Sequence, residues 1–198
     1  NPLLDTRGSM TNRLREHLHL LQYIDTKPGK RNCLVKVAFD LDDFRTVNNK
    51  HGHLTGDEVL KKTGQAMLKS LRPEDGKAHY GGDEFGALLM VEVDKDTAQE
   101  EIDEQIKGII QRTITKIKDE VSSIGDIKIT QELSVGYSLV EKEELQDREV
   151  DDTLITEILS NADAAAKSSK IIRIAEENRG HGKKSEQRIV RFGQMLDY

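Results

Sequence analysis

The sequence predicts a domain of the α/β or α+β class, a sheet covered by helices. Three observations predict it. Strand-length apolar runs (33–40, 77–92, about 127–140) alternate with stretches apolar at helical spacing (12–24, 97–121, about 151–170). Two of the runs meet at Gly81-Gly82, a pair that supplies the positive φ angles of a tight hairpin. The 198 residues, 35% of them hydrophobic, suffice for one sizeable core without staples.

In chain order, residues 12–24 set Leu14, Leu18, Leu21 and Ile24 on one helical stripe, and Lys27-Pro28-Gly29-Lys30 ends the segment in a turn. His17 and His19, two apart on that helix, point to different faces, so they read as solvated or packing residues. The run CLVKVAFD (33–40) reads as a buried strand. Gly56 and Asp57 precede a second helix with Val59, Leu60, Thr63, Met67, Leu68 and Leu71 inward. Residues 77–92 form the two hairpin strands. The helix over 97–121 carries Ile102, Ile106, Ile109, Ile110, Ile114, Ile117 and Val121. A strand over about 127–140 and a helix over about 151–170 follow. ENRGHGKKSEQ (177–187) is a polar loop, and RIVRF (188–192) a short strand. No internal repeat is present. The expectation is one domain over 1–198, with a core at 5–176, a tail at 177–198, and a sensor or linker upstream.

Composition excludes several classes. Three prolines and 15 glycines rule out collagen-like and low-complexity chains. No apolar stretch approaches the roughly 20 residues that span a bilayer, and no signal peptide opens the sequence. One cysteine, Cys33, excludes an internal disulfide and a thiolate metal cluster, and its apolar neighbours suit a small buried hydrophobe in a reducing compartment. Thirty basic against 36 acidic residues give −6, which disfavours nucleic acid as a partner. A small anionic ligand stays open, because a metal ion can mediate between carboxylates and phosphates.

Two segments carry candidate chemistry. In FDLDDF (39–44), Asp40 and Asp42 leave the same face of a strand end, an arrangement that suits Mg²⁺ held jointly with phosphates and equally suits a solvated strand end. In YGGDEF (80–85), two adjacent acids at a hairpin tip repel unless something positive is bound. With the hairpin beside the 33–40 strand, Asp83 approaches Asp40 for metal binding and Glu84 is left to move a proton. An exposed acidic turn fits the same spacing.

YGGDEF resembles the signature hairpin of the GGDEF domain, the diguanylate cyclase family of bacterial signalling. FDLDDFRTVNNKHGHLTGDEVL (39–60) resembles that family's F-D-x-D-x-F-K-x-x-N-x-x-x-G-H-x-x-G-D-x-x-L, with Arg45 in place of Lys. Asp5, Met10, Asn12 and Arg13 resemble the opening D-x-L-T-G-L-x-N-R, though Arg7, Gly8 and Ser9 stand where Leu, Thr and Gly are usual. Ser134-Val135-Gly136 resembles S-I-G. Residues 162–170 resemble A-D-x-A-L-Y-x-A-K without the Leu-Tyr pair.

The resemblance implies a central antiparallel-cored sheet wrapped by helices, like nucleotide-cyclase and polymerase palm domains. It implies condensation of two GTP into cyclic di-GMP with release of two pyrophosphates, each domain of a homodimer holding one GTP. Asp40 and Asp83 would hold Mg²⁺ or Mn²⁺, with the Leu41 carbonyl. Phe44, Arg45 and their backbone amides would line the triphosphate, with Gly81 and Gly82 at the hairpin. Asn48 and Asp57 would read the guanine edge, Asp accepting from N1–H and the 2-amino group. His53 would lie near the ribose, Lys170 would meet the terminal phosphates, and Glu84 would help remove the 3′-hydroxyl proton. Arg72 and Asp75 fit the R-x-x-D product-inhibition motif at the family's offset from the hairpin; a charged loop fits them too.

The sequence departs from the pattern at His79, often Arg in the family. It departs again after Lys170, where Ile171-Ile172-Arg173 replaces Gly-Arg, so Arg173, Lys183 and Lys184 compete as the second phosphate cation. The alternative function is a catalytically silent module that binds GTP or cyclic di-GMP. The expected location is the cytoplasm, with no membrane contact from this segment and any anchoring supplied by other segments.

Overall fold

The computed structural model describes residues 4–178 and 189–192. Five strands form the main sheet: β1 (Lys30–Leu41), β2 (Gly76–Gly81), β3 (Glu84–Asp94), β6 (Leu133–Glu141) and β7 (Ile189–Arg191). Their order is β2-β3-β1-β6-β7. All pairings are antiparallel except β6 with β7, which is parallel. A two-stranded ribbon, β4 (Ser123–Ile124) with β5 (Ile127–Lys128), stands apart. The helices are α1 (Arg7–Tyr23), α2 (Phe44–His51), α3 (His53–Ser70), α4 (Gln99–Val121) and α5 (Asp152–Asn178).

Alternation along β1 divides the core. Val35, Val37, Phe39 and Leu41 face one side, with Val59 and Met67 of α3 and the isoleucines of α4. Leu34 faces the other, with Met10, Leu14, Leu18 and Leu21 of α1 and Leu154 and Ile158 of α5. The same period puts Lys36, Ala38 and Asp40 on the α1/α5 side; Ala38 packs on Ala162 and Ala166 of α5.

The expected strands and helices form, with differences in extent, among them α5, which runs to Asn178 rather than ending near 170. Helix α1 starts at Arg7, because Thr6 caps it by accepting from the Ser9 N–H at 3.3 Å. Residues 44–51 form α2, a helix too short for an apolar period to reveal. Gly56 and Asp57 lie inside α3, whose N-cap is Gly52 at φ 84, so Asp57 is not a cap. The run 127–140 is split between β5 and β6. Residues 179–187 of the expected polar loop lie outside the described residues. Cys33 is buried and free, and burial pushes its thiol up to about 12.

Candidate functional site

Strand β1 ends at Leu41 beside the start of β3, and the register opposes Asp40 to Glu84. Both side chains leave the α1/α5 face. Gly81 (φ 117) and Gly82 (φ 58) turn the hairpin as their positive φ requires. The Leu41 N–H donates to the Asp83 carbonyl at 3.1 Å, tying the tip to the end of β1. Asp40, Leu41, Asp83 and Glu84 are thus gathered at one edge of the sheet. His79 braces the turn: its Nε2 lies 2.9 Å from the Gly82 carbonyl and its ring stacks on Phe85 at 4.4 Å.

Helix α5 brings the cations. Lys170 Nζ is 2.9 Å from Asp40 Oδ1 and 3.4 Å from Asp42 Oδ1, and Arg173 Nε is 3.2 Å from Asp42 Oδ2. Burial works against the Lys170 charge, but the two aspartates outweigh it and its pKa is raised. Asp42 is buried and takes hydrogen bonds from Ser134 Oγ at 2.9 and 3.0 Å. Burial nevertheless raises its pKa, against the pull of Ser134, Arg173 and Lys170. Asp42 therefore anchors α5 rather than facing a ligand. Of the three candidate second cations, Arg173 reaches this edge, while Lys183 and Lys184 lie outside the described residues.

The strand passes into α2 through Asp43, whose φ of 55 is left-handed. Phe44 and Arg45 open α2, so their N–H groups belong to the first turn, which has no intrahelical acceptors. Phe44 is buried and Arg45 exposed. Asn48 lies against α3, where a Cβ on Gly56 would sit 1.9 Å from Asn48 Oδ1. Asn48 and the exposed Asp57 and His53 are so collected at the α2–α3 junction.

Arg72 and Asp75 lie at the far end of β2, about 15–20 Å from the hairpin tip by strand rise. They line a cleft of about 380 Å³ with Ser70, Gln105 and Arg112. Asp75 is buried; its Oδ2 accepts from the Arg72 N–H at 2.8 Å, and burial raises its pKa. Its carboxylate therefore closes a turn as well as lining the cleft.

Residues that sequence reasoning missed cluster around Asp40 and Glu84. Lys36 is 1% exposed; its Nζ donates to the Val37 carbonyl at 2.8 Å and lies 5.2 Å from the Tyr80 ring centroid. The only signal was a lysine inside an apolar strand. Arg7 Nη2 donates to Glu84 Oε2 at 2.8 Å. A cavity of about 220 Å³ lies beside both carboxylates, lined by Tyr80, Asp163, Ala166 and Lys167. Arg112 comes to the Arg72 cleft from α4, which no local motif marks.

The donors at the β1–β3 edge are two carboxylates and a carbonyl, and among the described residues no three His, Cys, Asp or Glu side chains converge as a metal group. An all-oxygen set of few protein ligands suits Mg²⁺, which keeps waters and substrate phosphates in its sphere. Lys170 pairs with Asp40 at this edge, so a bound metal ion would share that carboxylate with the ammonium.

Fold and edge together define an α+β domain with a mixed central sheet and an acidic hairpin at one end. Residues 3–173 match the diguanylate cyclase, GGDEF domain family, and the chain belongs to it. It is 42% identical over 86 residues to the probable diguanylate cyclase DgcE of Escherichia coli, covering 43% of this chain and 7% of that protein. It is 36% identical over 103 residues to the diguanylate cyclase DosC of E. coli, covering 52% of this chain and 21% of that one. The chain thus spans less than a quarter of these relatives' length. Among solved structures, it resembles the GGDEF domain of PA1120 (YfiN or TpbB) from Pseudomonas aeruginosa, with a TM-score of 0.64, 22% identity, and coverage of 94% of this chain and 96% of that one. It also resembles the GGDEF domain of DgcB from Caulobacter crescentus in complex with c-di-GMP, with a TM-score of 0.61, 21% identity, and coverage of 96% and 92%. At these identities the two structures speak for the fold. No helix among the described residues is long and apolar enough to cross a membrane.

Proposed function

We propose that this domain, one unit over residues 1–198, is a diguanylate cyclase: two copies face each other, each holding one GTP, and join the nucleotides into cyclic di-GMP with release of two pyrophosphates. The observation that carries this reading is the pairing of Asp40 with Glu84 on one sheet face, with Asp83 bound to the same strand end. Asp40, Asp83 and the Leu41 carbonyl would hold Mg²⁺ or Mn²⁺, which when bound neutralises charge on the transferring phosphoryl group. Lys170 and Arg173 take the terminal phosphates, with the α2 N-terminus at Phe44 and Arg45. Gly81 and Gly82 bring the hairpin backbone close to them. Asn48 and Asp57 read guanine, and His53 lies by the ribose. Glu84 takes the proton from the attacking 3′-hydroxyl. Arg72 and Asp75, with Arg112, bind the product and slow the enzyme.

Turnover of GTP with Mg²⁺, followed by chromatography at several protein concentrations, tests the reading. Cyclic di-GMP should rise faster than linearly with protein and fall at least 100-fold in Asp83→Asn and Glu84→Gln. A second reading, a silent module that binds GTP or cyclic di-GMP, is favoured by one observation: Lys170 and Arg7 already occupy Asp40 and Glu84. Absence of product at every concentration, even with dimerisation forced by a fused coiled coil, would select it.

A further inference from the structure

Arg7 stands on the first turn of α1, outside every group to which the reaction assigns a role. Its chain is delivered to the hairpin by a short parallel bridge. The Asp5 N–H donates to the Lys77 carbonyl at 2.9 Å, and the His79 N–H donates to the Asp5 carbonyl at 3.0 Å. Arg13 Nε fixes Asp5 from α1 at 2.7 Å. From this anchorage Arg7 Nη2 reaches Glu84 Oε2 at 2.8 Å, while its guanidinium carbon lies 4.7 Å from the Tyr80 ring centroid.

Tyr80 is itself held. A Cβ on Gly86 would lie 2.1 Å from Tyr80 Oη, so only the bare glycine admits the ring there. The Lys36 ammonium lies within cation–π range of the same ring. Gly86, Tyr80, Arg7 and Glu84 thus form a chain of placements ending at the proposed proton acceptor.

The Arg7 and Glu84 side chains are 52% and 51% exposed, so their ion pair adds little to stability. Its consequence is geometric. A glutamate at a strand start turns freely about three side-chain bonds, and a planar guanidinium pinned to an aromatic ring selects one direction for it. We propose that Arg7 is the positioning residue for Glu84, holding its carboxylate where it meets the 3′-hydroxyl; this rests on the cyclase reading above. Arg7 acts through Glu84 and does not itself bind the nucleotide.

Steady-state kinetics of the full chain with GTP and Mg²⁺ test it, with thermal melts to show that each variant folds. Arg7→Met should lower kcat about tenfold and leave KM for GTP within about twofold, and Arg7→Lys should restore part of the loss. The decisive arm is a cycle with Glu84→Asp, whose carboxylate is one methylene too short to reach Arg7. In that background Arg7→Met should change the rate less than about twofold. Losses that multiply, or a rise in KM with kcat kept, would overturn the proposal by making Arg7 a nucleotide ligand or a structural support. A folded, dimeric wild type that makes no cyclic di-GMP would overturn the cyclase reading, and Arg7 with it, before any variant is compared.

Discussion

At the scale of single residues, Lys36 places a charge inside the core. Burial lowers its pKa from 10.5 to about 8, against the charge of Asp163 and Glu84, and Arg7 adds to the lowering. Below about pH 8 the ammonium is charged in both the folded and unfolded chains, and its burial costs the fold about 3 kcal/mol. As pH rises from 8 to 10.5 the folded chain holds fewer protons than the unfolded one, and that cost fades. Replacing Lys36 by Met removes the charge but also the bond to the Val37 carbonyl, so the net gain is about 1–2 kcal/mol, or about 3–6 °C in Tm at pH 7. Melts of the two proteins should converge as pH approaches 10. Cys33 works in the opposite sense. Its folded pKa of about 12 lies above the unfolded 9.0, so its contribution is complete below pH 9 and is lost above it. Cys33→Ala should therefore flatten the fall in stability above pH 9, measured by urea unfolding.

At the scale of elements, two glycines set how closely α5 packs on the sheet and α2 on α3. Helix α5 crosses β6 at Gly136, where a Cβ would lie 2.1 Å from the Ala166 nitrogen and 2.4 Å from the Ala165 carbonyl carbon. Those are backbone atoms and cannot rotate aside. Gly136→Ala should cost about 3 kcal/mol in urea unfolding and, by lifting α5, withdraw Lys170 from Asp40. Gly56 plays the same part between α2 and α3, but its obstacles are side chains: Asn48, which can swing away, and the Phe44 ring, whose Cζ lies 3.2 Å from the added Cβ and must give by a few tenths of an ångström. Gly56→Ala should therefore change stability by less than about 1 kcal/mol and, on the proposed role of Asn48 in reading guanine, weaken GTP binding about tenfold, read by calorimetry.

For the whole molecule, site and core separate. Each half of the core is built from apolar side chains, and Asp40 pairs with Lys170 outside them. On the proposed cyclase reading, chelation should abolish GTP turnover while leaving the thermal melt within about 2 °C of its original midpoint, measured by circular dichroism. The cleft holding Arg72, Asp75 and Arg112 lies at the opposite end of β2 from the hairpin, so the proposed product site and the proposed active edge do not overlap. If that cleft binds product as proposed, Arg72→Ala should weaken cyclic di-GMP binding at least tenfold and relieve inhibition by added product, with initial velocity kept.

What the sequence determined by itself was periodicity and local turn chemistry: the buried strand at 33–40, the Gly81-Gly82 hairpin, the isoleucine face of α4, and the motif spacing that put Asp40, Asp83 and Glu84 forward together. These are short-range properties, written in neighbouring residues. Only the tertiary structure decided which side each charge serves. Asp42, two residues from Asp40, turns inward because Ser134, Lys170 and Arg173 converge on it from β6 and α5. Arg173 meets the edge because α5 runs on beyond the expected helix end, to Asn178. Arg7 meets Glu84 across 77 positions of sequence because α1 packs beside β2. No local pattern encodes such meetings; they follow from how the helices are laid over the sheet, and that packing is set by burial over the whole chain.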